Sequence, residues 1–88
     1  MKIKPGFMLR KVVDVYVIIG IGDENYAPNQ IMSLNETGAF LWRILEDGAD
    51  RGKLLASLLS EYDVDEQTAA RDVDAFLDSL REKALIVE

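Results

Sequence analysis

Gln30-Ile31-Met32-Ser33-Leu34-Asn35-Glu36-Thr37-Gly38-Ala39-Phe40-Leu41-Trp42 is the stretch in which the sequence changes period. Gln30 to Leu34 are short on charge and rich in apolar side chains, a pattern that suits a brief strand. From Asn35 onward the apolar residues recur at helical spacing. Asn35 is a good N-cap, and Glu36 in the first turn suits the positive end of a helix dipole. The helix that begins here is expected to run to about Glu46 and to stop at Asp47-Gly48, with Gly48 as its C-terminal cap. Gly38, Phe40, Leu41, Trp42, Ile44 and Leu45 spread over more than one face of it. Such a helix is expected to be central, touching both a sheet and other helices.

Upstream of this junction the chain reads as strand. Phe7-Met8-Leu9-Arg10-Lys11-Val12-Val13 alternates imperfectly, and Val15-Tyr16-Val17-Ile18-Ile19-Gly20-Ile21 is dense in β-branched and aromatic residues. Asp14 between them permits a tight hairpin. Residues 22–29 have the composition of a loop. Downstream, a second helix is expected from Asp50, its N-cap, to near Tyr62, with Leu54, Leu55, Leu58, Leu59 and Tyr62 as its apolar stripe. Asp65 is expected to cap a third helix from about Glu66 to Lys83, whose stripe is Ala69, Val73, Phe76, Leu77 and Leu80. Leu85-Ile86-Val87 reads either as a short terminal strand or as a segment that docks on the core. Strands followed by helices imply an α+β fold: a three-stranded antiparallel sheet, then three helices, with the parts of a winged helix-turn-helix in another order.

Composition narrows the function. The 88 residues make one domain, residues 1–88, and 49% of them are apolar, too many for a disordered chain. A domain of this size has little interior in which to build a deep active site. There is no Cys, so no disulfide, thiolate nucleophile or Cys-ligated zinc, and no His, the commonest general base and metal ligand. No apolar run approaches the roughly 20 residues that span a bilayer. Met1-Lys2-Ile3-Lys4-Pro5-Gly6 lacks the apolar stretch of a signal peptide, so a cytoplasmic location is expected. Lys2, Lys4, Arg10 and Lys11 give residues 1–13 four positive charges and no negative one; with a total of −6, residues 14–88 carry −10. That acidic body argues against nucleic acid, which needs phosphate-neutralising bases. It serves either as a solubilising surface or as an attractor of basic partners.

Sites for chemistry are few. Asp23 and Glu24 are adjacent in a loop and do not face each other across a substrate. Asp63 and Asp65 lack the glycine and closing glutamate of a calcium loop, so helix capping is the better reading. Gly20-Ile21-Gly22 has no third glycine or following helix, so it is no dinucleotide fingerprint. Ser33 and Thr37 have no His to activate them. Trp42, among apolar neighbours on a helix, reads as core rather than as a stacking platform. No enzyme, cofactor or metal site is expected.

Two features are left. The third strand, Gln30–Leu34, has neither Pro nor charge to blunt it, as edge strands usually do. It is either covered by the chain itself or used to accept a further strand. The third helix carries Asp72 and Asp74 on the flanks of its stripe. Set beside that strand, it would close a groove with an apolar floor and an acidic rim, suited to an extended peptide that adds to the sheet. A DNA-binding winged-helix regulator and a scaffold that pairs through the same edge into a homodimer are the competing readings.

The segment Leu34-Asn35-Glu36-Thr37-Gly38-Ala39-Phe40-Leu41-Trp42 resembles the L-N-x-T/S-G-A-x-x-[LIW] pattern of the PqqD family. Lys4-Pro5-Gly6-Phe7 and Leu9-Arg10 resemble that family's opening, Asp47-Gly48 its D-G turn, and Asp72-Val73 with Phe76-Leu77 and Leu80 its closing helix. The similarity spans essentially the whole chain. It implies a three-stranded, three-helix domain without catalysis. Such a domain acts as an adaptor or chaperone that binds the leader of a ribosomally made precursor peptide and delivers it to a modifying enzyme, often a radical S-adenosylmethionine enzyme. In the founding pathway the product is pyrroloquinoline quinone (PQQ); related domains serve lasso peptide, lanthipeptide and other pathways. The resemblance further implies that the leader pairs with the backbone of Gln30, Ile31, Met32, Ser33 and Leu34. Asp72, Val73, Phe76 and Leu77 would form the helix wall.

Overall fold

The computed structural model describes residues 1–20 and 30–88. The elements follow in the order β1 (Lys2–Ile3), β2 (Phe7–Val12), β3 (Val15–Gly20), β4 (Gln30–Leu34), α1 (Glu36–Glu46), α2 (Arg51–Glu61), α3 (Glu66–Glu82) and β5 (Ile86–Val87). The fold is α+β: a three-stranded antiparallel sheet in the order β2-β3-β4, followed by three helices. The loop expected over residues 22–29, and Ile21 at the end of the expected second strand, lie outside the described residues.

The sheet turns one face to the helices. Leu9 stands opposite Ile18, which stands opposite Met32, and these three belong to or pack against the core with Phe7 and Leu34. The two-residue spacing of 7 and 9, and of 32 and 34, is the strand period at work. At the β2–β3 hairpin Val12 pairs with Val15, leaving Val13 and Asp14 as the turn. Val13 has φ 58° and is 84% exposed. A β-branched residue in that left-handed region is strained, and glycine is the usual occupant at such a turn. Between β3 and β4 the register slips: Ile18 faces Met32 but Ile19 faces Gln30, so Ile31 has no opposite residue and forms a bulge.

Each helix starts where its cap was expected. The side-chain oxygens of Asn35, Asp50 and Asp65 accept the backbone N–H of Gly38, Lys53 and Thr68 at 2.7, 2.7 and 2.6 Å. Each satisfies one of the donors that a helix start leaves unpaired. At the end of α1, Gly48 takes φ +94° and its N–H donates to the Leu45 carbonyl. At the end of α3 the same turn is made by Ala84, φ 57°. Its N–H donates to Arg81 O, and the Leu85 N–H donates to Leu80 O. These two bonds are a Schellman closure with alanine where glycine is usual.

The core is built around α1, which touches β1, β4 and α2. Trp42, Leu41 and Leu45 are fully buried with Ile18, Leu54, Leu58, Val73, Leu77 and Leu80. Trp42 is therefore core, as its neighbours implied, and its indole N–H is buried without a hydrogen-bond partner among the described residues. The stripe of α3 is buried at every expected position. That of α2 is buried at Leu54 and Leu58 and half-buried at Leu55, Leu59 and Tyr62.

The small sheet was not legible as such. β1 pairs antiparallel with β5, Ile3 opposite Ile86, and the Lys4 N–H donates to Leu85 O. A two-residue strand is too short to show a period, so only its partner at Ile86–Val87 had been suspected. The surface carries exposed ion pairs: Arg51 with Asp74 at 2.7 Å, and Arg81 with Glu88 at 2.8 Å and Asp78 at 3.5 Å.

Three expectations follow from this framework. Asn35→Ala removes the cap of α1 and is expected to cost about 1 kcal/mol in urea unfolding; an unchanged midpoint would contradict the capping role. Val13→Gly and Ala84→Gly each relieve a left-handed backbone and are expected to raise stability by about 0.5–1 kcal/mol, after the extra chain entropy of glycine. Finally, the hydrogen bond from Arg51 holds the Asp74 carboxyl below the usual carboxylate range. Its folded value lies below the unfolded one, so the stabilisation is present at neutral pH and is lost as acid protonates the carboxylate. Carboxyl NMR titration should place Asp74 below ordinary aspartates, and Arg51→Ala should return it.

Candidate functional site

The two edges of the main sheet differ in chemistry. β2 ends one side and carries Arg10 and Lys11, both exposed. Charged side chains of this kind discourage pairing with another chain. β4 ends the other side, and its five residues include no charge and no proline. Among the described residues no strand lies beyond β4. The bulge at Ile31 twists the first part of this edge, so the regular pairing register runs from Met32 to Leu34.

Beside β4 lies a cleft of about 250 Å³. Met32, Ser33 and Leu34 form its strand side. Asn35, Thr37, Gly38 and Leu41 form its end, at the start of α1. Asp72, Ala75, Phe76 and Ser79 form its helix wall. The strand and the third helix, singled out separately in the sequence, thus meet in one groove. Its narrow end depends on Gly38: a Cβ built there would lie 3.2 Å from both Leu34 Cδ2 and Asn35 Oδ1. A side chain there would need Leu34 and Asn35 to give by a few tenths of an ångström.

Of the residues expected to contact a peptide, Met32, Ser33, Leu34, Asp72 and Phe76 line this cleft. Gln30 and Ile31 belong to the strand ahead of it. Val73, Phe76 and Leu77 are 0%, 7% and 1% exposed and all belong to the core; of the three, Phe76 also lines the cleft. The reason is helical geometry. Asp72, Phe76 and Ser79 fall at i, i+4, i+7 and face the cleft, while Val73, Leu77 and Leu80 repeat the same spacing one residue on and face inward. The wall residues missed in the sequence are Ala75 and Ser79. Their small size is the signal, since larger side chains would fill the groove.

Charge at the site is sparse. Among the described residues, Asp72 is the one charged residue lining the cleft. The other acids nearby on α3 are occupied: Asp74 by Arg51 and Asp78 by Arg81. Asp72 is exposed and has no ion-pair or hydrogen-bond partner among the described residues.

A second recess of about 310 Å³ adjoins the far side of Leu34 and Asn35, lined also by Lys11, Asp14, Tyr16 and Glu36. Two cations lie over the Tyr16 ring, Lys11 Nζ at 5.5 Å and Arg43 Cζ at 5.6 Å from its centroid. Nearby, Tyr62 stacks edge-on against Phe40 at 5.5 Å. Its hydroxyl is held above its ordinary pKa, first by burial and then by the charges of Glu36 and Glu61. No group of three or more acidic, His or Cys side chains able to hold a metal occurs among the described residues. Nor is any helix there long and apolar enough to cross a membrane.

Comparison with known proteins agrees with this architecture. A solved structure described as "TbiB1 in Complex with the TbiA(beta) Leader Peptide" has a TM-score of 0.73 and 27% identity, covering 97% of this chain and 93% of that one. Another, "Lasso peptide synthetase B1 complexed with the leader peptide", has a TM-score of 0.71 and 25% identity, covering 99% and 96%. A comparison with curated protein sequences gives no significant match. Residues 16–86 match the family described as Coenzyme PQQ synthesis protein D (PqqD), which takes in both recognisable edge and helix motifs, and the chain therefore belongs to the PqqD family.

Proposed function

We propose that this chain is an adaptor that binds the leader segment of a ribosomally made precursor peptide. The leader adds as a strand to the outer edge of β4 and rests in the cleft against α3. The observation that carries this reading is the position of β4, an uncharged edge strand alongside a groove with Met32, Leu34, Leu41 and Phe76 in its lining. Two proteins of similar structure are complexes with leader peptides, which supports the same assignment.

Strand addition divides the work. Main-chain hydrogen bonds supply affinity for any extended segment, and the side-chain contacts in the cleft select one. Alternate leader residues point toward Met32, Leu34 and Phe76, and the residues between them point away. A one-residue slip would reverse every side chain, so the register of the bound leader is fixed by the groove. A fixed register in turn fixes how far the rest of the precursor extends toward a second protein.

The chain's part in modification is binding and delivery, not chemistry. The sequence has no His and no Cys; Asp74, Asp78 and Glu88 sit in surface ion pairs, and Asp50 and Asp65 cap helices. The chemistry is assigned to a separate modifying enzyme, such as a radical S-adenosylmethionine enzyme, in the making of pyrroloquinoline quinone or of another modified peptide. A DNA-binding role is disfavoured by α3, where Glu66, Asp72, Asp74, Asp78 and Glu82 outnumber Arg71 and Arg81.

Isothermal calorimetry with the synthetic leader of the precursor encoded beside this gene should give micromolar or tighter binding, about 8 kcal/mol. Methylating single backbone nitrogens of that leader tests the mode of binding. Loss of at least tenfold is expected at every second position within the paired segment, because only alternate N–H groups face the neighbouring strand. No binding by any encoded precursor, or equal tolerance at all positions, would overturn the reading. Sedimentation showing a dimer that dissociates only when β4 is altered, with no leader effect, would instead favour the scaffold role.

A further inference from the structure

We infer that the cleft selects a leader with a lysine or arginine placed to meet Asp72, two residues from a large apolar side chain that rests on Phe76. This inference deepens the leader-binding reading and rests on it. The floor of the cleft is apolar, from Met32, Leu34, Leu41 and Phe76, and among the described residues Asp72 is the one charge on its wall. Along α3, Arg51 claims Asp74, and Arg81 claims Asp78, but nothing among the described residues claims Asp72. Arg71 stands beside it in sequence, yet adjacent helix positions do not face each other, and no ion pair forms between them.

A carboxylate in that position is harmless while water reaches it. A docked strand takes part of that water away. A neutral or acidic residue laid over Asp72 leaves a desolvated charge without a partner, which is unfavourable; a basic residue supplies the partner. Discrimination therefore arises more from the penalty on wrong peptides than from the attraction of the right one. The net charge of −6 adds a long-range pull on cationic segments.

The spacing follows from two rises. Asp72 and Phe76 are one turn apart on α3, about 6 Å along its axis. Same-face residues of a strand are about 6.7 Å apart. On a strand laid along α3, a basic residue and an apolar residue separated by one intervening position match that length and share one face of the strand.

The test uses the full chain and a fluorescein-labelled synthetic leader of the precursor encoded beside its gene. Asp72→Asn and Asp72→Lys are compared with wild type and with Glu82→Gln, which removes an exposed α3 carboxylate that does not line the cleft; circular dichroism confirms folding. Asp72→Asn is expected to weaken binding about fivefold to tenfold, beyond any change in Glu82→Gln. Replacing one particular lysine or arginine of the leader by glutamine should abolish that difference, as a double-mutant cycle requires. Replacing the same residue by glutamate should restore binding to Asp72→Lys. The inference is overturned if wild type binds the leader but Asp72→Asn binds it equally well, or if the loss is the same for every leader variant. Absence of binding by wild type overturns the leader reading itself, a result distinct from the other two.

Discussion

The junction of β4 with α1 sets the geometry of the whole groove. Asn35 spends its side chain on the Gly38 N–H, and Gly38 spends its missing side chain on proximity to Leu34. The helix therefore starts within van der Waals reach of the strand that precedes it. From that fixed angle, Leu41, Trp42 and Leu45 enter the core, and α2 and α3 pack around them. A side chain at position 38 would press on Leu34 and on the Asn35 carboxamide that caps the helix. The cap and the contact are one device, made within five consecutive residues, 34–38.

Two sheet edges in an 88-residue chain are a hazard unless each is managed. The hairpin side is managed with charge, through Arg10 and Lys11. The β4 side is managed with shape. The bulge at Ile31 spoils the first part of the strand as a template, and α3 stands beside the rest. The strained Val13 at the hairpin tip has no such account: it is exposed, and no contact explains its retention there.

Much of this was legible because it is local. Helix starts at Asn35, Asp50 and Asp65 are written in single residues, and the stripes of α2 and α3 recur at a spacing that only a helix explains. The edge character of β4 was legible from what its sequence lacks. The division of α3 into two neighbouring stripes was not. Val73 and Leu77 look as suitable for a binding wall as Phe76 does, and only the position of α2 and α1 decides that they turn inward. Ala75 and Ser79 matter through their smallness, which carries no periodic signature. β1 was hidden for a further reason: its pairing with β5 joins residues more than eighty positions apart, and nothing local announces it.

That last pairing has an engineering consequence. With Lys2 opposite Val87, and the Met1 carbonyl bound to the Ala49 N–H, the two ends of the described fold lie side by side. A short bridge between them would close the backbone into a ring. New ends could then be opened at the solvent-exposed tip around Val13, giving a circularly permuted protein whose β4 and α3 keep their covalent continuity.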